Sequence, residues 1–277
     1  MKAPRTVTIG FASDYNALPA GTYITTPEQM AAIMPGAPYG LDGFTISPQL
    51  LPDAYQIVAG GKNGGNCLRM HYPANQVGRD PRWWTIKLGV PPAGVPVNLE
   101  WDFMFEAMAD LTGDGGKPGP AGINWGTQND GLRQFQVWRS DRGTNNKPFV
   151  PCIQDQRNGN QYIQPVYYTK PNIVFGQWYH WRYQMLGGPQ GFCKFWLDGV
   201  FLDTTTTSMG NSQQGDNVFI DMGFWAGGGE GSGPPTEFWT RNDNVKVYTG
   251  DAPDPPPIEE MKEYHIEGRV WLKPVTP

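Results

Sequence analysis

The stretch from Asn98 to Thr127 holds residues whose types and spacing could do chemistry. Acidic side chains at Glu100, Asp102 and Glu106 alternate with aromatic ones, and successive strand side chains point to opposite faces. The pattern predicts a half-buried strand with one acidic and one aromatic face. The glycine- and proline-rich run that follows carries one cation, Lys117, and can lie close to a sheet or a ligand. A cation on such a loop beside carboxylates predicts an anion site.

The composition favours an all-β protein with long ordered loops. The chain has 277 residues with 36 Gly and 27 Pro, and 13% of its residues are aromatic while 17% are charged. The net charge of -5 and the pI near 5.2 oppose general attraction to polyanions. We therefore expect neither nucleic acid nor a membrane surface as a partner.

Short strands separated by Gly, Pro and Asn clusters are predicted along most of the chain. Almost no helix accompanies them, which is typical of an antiparallel sandwich or barrel. The predicted strands are Arg5 to Ala12, Tyr55 to Ala59, Cys67 to Tyr72, Trp83 to Leu88, Leu99 to Glu106, Leu132 to Arg139, Phe149 to Gln154, Tyr162 to Tyr168, Trp178 to Leu186, Phe192 to Leu197, Val200 to Thr205, Val218 to Trp225 and Phe238 to Tyr248.

Two local signals are specific. Asp198-Gly199 supplies the positive φ angles of a two-residue hairpin turn between two predicted strands. Thr26-Pro27-Glu28 predicts a helix start, with an N-cap, a proline at the first position and an acid in the first turn. We expect the short helix to end at Pro35.

The chain is predicted to be one sandwich domain with an appendage. Residues 1–250 form the sandwich, of which residues 1–54 are a less certain N-terminal extension. Residues 251–257 are a proline-rich spacer, and residues 258–277 are a tail with one strand, Tyr264 to Leu272. Because the tail is too small to fold alone, we expect it to dock on the domain or on a partner, with a homo-oligomer or a virion assembly as alternatives.

The chain shows no paired cysteine spacing and no long apolar run. Cys67, Cys152 and Cys193 lie far apart, so we predict thiols rather than disulfides or a zinc site. No signal peptide or transmembrane stretch is recognisable. The prediction is a protein that is virion-associated, released by lysis, or secreted with its signal removed.

Several short sequence motifs, in their order along the chain, resemble those of the polysaccharide lyases of families 14 and 20. The resemblance covers roughly residues 55 to 250. These families are alginate and glucuronan lyases on a concanavalin A-like jelly roll, so the resemblance implies that fold. The most specific phrase is Gly115-Gly-Lys-Pro-Gly119, which lacks the leucine that the family carries before the proline. The other phrases are Leu68-Arg-Met-His-Tyr-Pro73, Glu100-Trp-Asp-Phe-Met-Phe105, Phe175-Gly-Gln-Trp178, Phe195-Trp-Leu-Asp-Gly199 and Asp243-Asn-Val-Lys-Val247.

The resemblance implies β-elimination on uronate polysaccharides. Such a site must neutralise the carboxylate, remove the adjacent proton and protonate the leaving oxygen. Lys117 matches the family's cleft lysine, whereas Arg133 stands where the family has a serine and Phe135 where it has an arginine. Arg133 could still reach a carboxylate, although a salt-bridge role fits it equally well.

The proton carrier has several candidates. The family's tyrosines have no clear match on the strand from Phe149 to Gln154, and Tyr162 and Tyr167 follow later as substitutes. Histidine is the side chain whose unperturbed pKa is near neutrality, which makes His71 a candidate base. It shares a strand face with Arg69, while a structural role is its alternative. The remaining predicted substrate-binding residues are cations and flat aromatic rings: Arg69, Lys87, Trp125, Trp138 and Arg139.

Two other kinds of site rank lower. Glu100, Asp102 and Glu106 resemble the carboxylates of laminarinase-type hydrolases on the same fold, but the last is displaced by two residues, or about 6 to 7 Å along a strand. Asp110 and Asp114 with nearby carbonyls could hold a structural calcium ion, yet no fixed calcium-loop pattern is present. We therefore expect no cofactor.

A noncatalytic protein on the same scaffold is the alternative to a lyase. Exposed tryptophans would bind sugar rings, and a jelly roll with altered catalytic positions and a proline-spaced tail would suit a capsid decoration or tail component of a virion. In both hypotheses the expected partner is an acidic polysaccharide.

Overall fold

The fold is an antiparallel β-sandwich of jelly-roll type. A computed structural model of the chain describes residues 8–36, 44–46, 53–72, 84–107, 116–117, 122–125, 132–139, 149–157, 161–163, 173–188, 191–205, 218–222, 225–226, 237–251, 261–266 and 269–274. Within these ranges, two large antiparallel sheets and a small hairpin account for nearly all regular structure.

The strands are short and follow one another closely. They are β1 (Thr8–Ala12), β2 (Phe44–Ile46), β3 (Tyr55–Ala59), β4 (Asn66–Tyr72), β5 (Trp84–Gly89), β6 (Val97–Ala107), β7 (Gly116–Lys117), β8 (Gly122–Trp125), β9 (Leu132–Arg139), β10 (Phe149–Arg157), β11 (Gln161–Ile163), β12 (Tyr179–Leu186), β13 (Phe192–Leu197), β14 (Val200–Thr205), β15 (Val218–Met222), β16 (Trp225–Ala226), β17 (Phe238–Thr249), β18 (Met261–Ile266) and β19 (Arg269–Pro274).

The first sheet has the order β14-β13-β12-β6-β17-β4-β3, and β1 also pairs with β17. β1 lies beside the second half of β17, where Phe11 pairs with Val247, while β4 pairs with the first half. The N-terminal segment therefore contributes a strand to this sheet.

The second sheet has the order β11-β10-β9-β8-β15-β5-β2. The two-residue strand β7 pairs with both β9 and β16 at its side. The chain passes between the sheets repeatedly: after β6 it enters the second sheet at β7, returns to the first at β12, enters the second again at β15 and returns at β17.

The core lies on one face of the first sheet. Trp101, Phe103 and Phe105 of β6 are all 0% exposed, which confirms the aromatic face that the alternation predicted. Val218 of the second sheet belongs to the same buried cluster, so the second sheet packs on this face. The opposite face of the first sheet carries the polar positions of β6, and we call it the outer face.

The local signals of the sequence are confirmed. The helix α1 spans Pro27–Ile33, and Thr26 and Gln29 form a reciprocal capping box at its start. Asp198 and Gly199 adopt positive φ angles of 49° and 78° in the turn between β13 and β14. Cys67 and Cys193 are buried free thiols, as expected.

The tail differs from its prediction. The expected single strand from Tyr264 to Leu272 is wrong, because β18 and β19 pair as an antiparallel hairpin with Ile266 opposite Arg269. The alternating pattern continues on both sides of residues 267–268, so periodicity alone did not reveal the reversal. In the described residues, no helix is long and apolar enough to cross a membrane.

Candidate functional site

Three predicted catalytic residues lie in neighbouring strands of the second sheet. Lys117 is in β7, Arg133 is in β9, and Tyr162 is in β11. β9 pairs with β7 on one side and with β10 on the other, and β10 pairs in turn with β11. The strand order thus puts residues up to 45 positions apart in sequence, counted from Lys117 to Tyr162, into one sheet.

The register shows how close these backbone positions are. Arg133 pairs with Asp155, and Tyr162 pairs with Gln156, the next residue of β10. Two strand spacings of about 4.8 Å therefore separate the Arg133 and Tyr162 positions, roughly 10 Å in all. Gly116 pairs with Val137 of β9, which places the Lys117 backbone roughly 11 Å from that of Arg133 by the same spacings.

Four predicted substrate-binding residues belong to the same sheet. Lys87 is in β5, Trp125 ends β8, and Trp138 and Arg139 end β9. Tyr167 and the proposed calcium ligands Asp110 and Asp114 lie outside the described residues. No group of three or more ligating side chains that could hold a metal occurs in the described part of the chain.

Arg69 and His71 lie on the outer face of the first sheet. They alternate along β4 with Leu68 and Met70, which are in the buried core. The second sheet packs against that core, so the first sheet separates His71 from the strands of Lys117 and Arg133. The structure does not bring the two predicted groups into one groove.

Both ring nitrogens of His71 contact carboxylates. Nδ1 lies 2.8 Å from Asp53 Oδ2, and Nε2 lies 3.0 Å from Glu237 Oε2. The imidazole also stacks on Trp239 with ring centroids 3.8 Å apart, and its side chain is only 10% exposed. In this arrangement the imidazole joins β4 to neighbouring segments and has no open nitrogen that could take a proton from a substrate.

Arg69 takes part in a second ionic cluster on the outer face. It donates from Nε and Nη2 to both carboxylate oxygens of Glu106, at 2.9 and 2.7 Å, and Arg241 donates to the same carboxylate. Burial alone would raise the pKa of Glu106, but the hydrogen bonds from the two guanidinium groups outweigh it and hold the pKa below its ordinary value. Glu106 is thereby a fixed anion that neutralises two arginines.

Asp102 is the centre of a third cluster. Its Oδ1 accepts from Lys62 Nζ at 2.6 Å and lies 2.9 Å from His180 Nδ1, while Oδ2 accepts from Asn244 Nδ2 at 2.7 Å. Burial would raise its pKa, yet the three hydrogen bonds prevail and the pKa is lowered. Nearby Asp243 is also buried, and burial raises its pKa.

The local backbone explains why these partners meet at Asp102. Lys62 lies in the loop between β3 and β4, where Gly60 and Gly65 have positive φ angles of 90° and 78° and close the loop by a hydrogen bond. Asn244 sits in a bulge of β17 with a φ of 49°, which turns its amide toward Asp102. The positions of Lys62 and Asn244 thus depend on positive φ angles, whereas His180 reaches Asp102 from the regular strand β12.

The third carboxylate of β6 is also engaged. The Tyr248 hydroxyl donates to Glu100 Oε1, and Arg182 Nε lies 4.0 Å from the same oxygen. Burial, followed by the hydrogen bond to Glu100, raises the pKa of Tyr248. All three carboxylates of the hydrolase alternative therefore have protein partners on the outer face, an arrangement typical of structural ion pairs.

The sequence interpretation missed Lys62 and His180. Gly60-Gly61-Lys62 repeats the Gly-Gly-Lys phrase that ends at Lys117, and this repetition was the available signal. His180 alternates with the buried Tyr179 and Trp181, so strand parity already placed it on the face opposite the core. On that face its imidazole contacts Asp102.

Comparison with solved structures shows the same fold in carbohydrate-active proteins. A double mutant of alginate lyase Aly36B in complex with alginate trisaccharide aligns with a TM-score of 0.61 and 16% identity, over 89% of this chain and 100% of that one. An endo-β-1,4-glucuronan lyase from the fungus Trichoderma reesei aligns with a TM-score of 0.50 and 15% identity, over 90% and 98%.

A third structure carries a different activity in its name. A glycosyl hydrolase family protein from Mycobacterium fortuitum aligns with a TM-score of 0.51 and 17% identity, over 87% of this chain and 100% of that one. No family model and no curated protein sequence matches the chain. The likeness confirms the jelly-roll fold and the resemblance to polysaccharide lyases, while the fold alone accommodates more than one reaction.

Proposed function

We propose that the protein is a polysaccharide lyase-like enzyme that cleaves uronate-containing polysaccharide by β-elimination. The observation that supports this proposal is the strand order of the second sheet, in which the Arg133 backbone lies roughly 11 Å from that of Lys117 and roughly 10 Å from that of Tyr162. The alginate and glucuronan lyases of similar fold make acidic polysaccharide the substrate class to test first.

The chemistry divides among these residues by type. Lys117 and Arg133 would neutralise the uronate carboxylate, which makes the adjacent carbon acid easier to deprotonate. Tyr162, or Tyr167, would remove that proton and return one to the departing glycosidic oxygen. A tyrosine performs the first step only as a phenolate, a form that a nearby cation would favour. His71 is left out of this assignment because it lies beyond the first sheet.

The test is incubation of the full chain with alginate and with glucuronan while the ultraviolet absorbance of unsaturated uronate ends is followed. We expect absorbance to rise with the wild type. For Lys117→Ala, the rate of this rise should be at least about 100-fold lower, since one preorganised charge contributes on that scale. Lys194→Ala removes a lysine from β13 of the first sheet and is the matched control, with no expected change in rate.

The noncatalytic alternative gives a different result in the same experiment. A glycan-binding or virion surface protein would retard in gels that contain the polysaccharide and would release no unsaturated ends. Full activity of Lys117→Ala would contradict the assignment of the site even if the wild type were a lyase.

A further inference from the structure

A turn at residues 173–178 exposes two apolar side chains beside a buried aromatic. Ile173 is 4% exposed, whereas the next two residues, Val174 and Phe175, are 54% and 37% exposed. In the described part of the chain they are the only large exposed hydrophobic residues that are neighbours in sequence. We call Val174 and Phe175 the rim pair.

The backbone holds the rim pair in place. Val174 N donates to the Tyr179 hydroxyl at 2.7 Å, and Gly176 N donates to the Phe105 carbonyl at 2.7 Å. Gly176 has a φ of 76°, which this turn requires and which a side chain would disfavour. The Phe175 ring meets Phe105 nearly edge-on, at 76° and 6.2 Å between centroids. These hydrogen bonds and the ring contact hold the turn in one conformation, and this conformation keeps Phe175 exposed.

Two chain connections link the rim pair and its neighbour Phe105 to strands of the proposed site. β6 ends at Ala107, two residues after Phe105, and β7 with Lys117 begins at Gly116. Residues 164–172 join the strand of Tyr162 directly to Ile173. Chain segments of eight or nine intervening residues span at most about 35 Å, which sets the upper limit on the distance from the rim pair to either strand.

Sugar rings suit such a surface. The faces of a pyranose ring present C–H groups, and an aromatic ring with an aliphatic neighbour contacts them without needing a polar partner. A polymeric substrate extends beyond the reacting unit, so it needs contacts away from the catalytic residues. The rim pair carries no charge, so its contact would be to the apolar face of a ring and not to a carboxylate.

We propose that Val174 and Phe175 form a rim subsite that holds one sugar ring of the uronate polysaccharide beside the proposed site. This inference rests on the proposed function for its substrate class. It assigns to Phe175 a role in binding and in the choice of chain length, and no role in the chemical step. The rim subsite should therefore affect KM for polymer and leave kcat unchanged.

The experiment compares Phe175→Ala, Phe175→Trp and Phe201→Ala in the full chain. Phe201 is 47% exposed on β14, at the opposite edge of the first sheet from β3, and supplies a matched control. We expect Phe175→Ala to raise KM for alginate or glucuronan polymer about fivefold, Phe175→Trp to restore it, and Phe201→Ala to leave it unchanged. Retardation in gels containing the same polymers measures binding without turnover.

The outcomes separate the two proposals. Wild type that binds polymer but releases no unsaturated ends contradicts the lyase, while weaker retardation of Phe175→Ala in those gels still supports the rim subsite. Equal retardation and equal KM for Phe175→Ala and wild type, with thermal unfolding unchanged, would overturn the rim subsite and leave the lyase standing. Wild type that binds neither polymer overturns the subsite as well.

Discussion

The two sheets of the sandwich hold their charged residues in different ways. On the outer face of the first sheet, Asp102 and Glu106 are each contacted by two basic side chains and have lowered pKa values. In the second sheet, Lys117 and Arg133 lie on the paired strands β7 and β9. Among the side chains that the structure describes, the densest clusters of titratable groups are thus the ones that fit a structural role.

The largest expected effect comes from Asp102→Asn. The substitution removes the anion that faces Lys62 and His180, and uncompensated charge in a buried setting is costly. We expect the free energy of unfolding in urea to fall by about 2 to 3 kcal/mol. Product formation per folded molecule should not change, and Glu28→Gln, an exposed acid in α1, is the control. Loss of activity at unchanged stability would instead make the outer face part of the reaction.

Glu106→Gln should have a smaller effect. The glutamine amide can still accept from one guanidinium, but it cannot neutralise both Arg69 and Arg241, whose side chains are 25% and 24% exposed. Because solvent screens partly exposed groups, we expect a loss of about 1 to 2 kcal/mol in the free energy of unfolding. Chemical denaturation measures this loss of stability. If it equals the loss caused by Asp102→Asn, the difference in burial between the two clusters does not affect their contribution to stability.

The pH dependence of stability provides a third comparison. The folded-state pKa values of Asp102 and Glu106 are lowered, so their stabilisation is present above the ordinary carboxyl pKa and is lost as pH falls through the folded-state values. Asp243, whose pKa is raised, acts in the opposite sense, and its contribution is lost as pH rises. Asp102→Asn should therefore lose less stability than wild type between neutral and acid pH in urea titrations. An unchanged slope would contradict the role of the Asp102 carboxylate.

Asp198→Asn should change stability least. Asparagine tolerates the φ of 49° and keeps an oxygen that can accept from His180 N, as Asp198 Oδ1 does now. Asn-Gly is a favoured pair in this two-residue turn, so we expect a gain of about 0.5 kcal/mol or less by thermal unfolding. A clear loss would mean that the charge of Asp198 supports the outer-face clusters from a distance.

The sequence predicted the elements of this fold more completely than the partners of their side chains. Leu132–Arg139, Phe192–Leu197 and Val200–Thr205 lie at their predicted bounds. His71 shows the opposite case, because its residue type suited a base and only the positions of Asp53 and Glu237 reveal how its nitrogens are used. A residue's type limits its chemistry, but its neighbours decide which part of that chemistry is accessible.

By itself, the sequence determined most of the longer strands, which face of β6 is buried, and where α1 and the Asp198-Gly199 turn begin. These features depend on residues a few positions apart, through side-chain alternation, capping and φ preferences. Only the tertiary structure decided that Lys62 reaches Asp102 across 40 residues and that Arg241 reaches Glu106 across 135. Such pairings follow from the order in which strands assemble, and no local pattern of residues encodes that order.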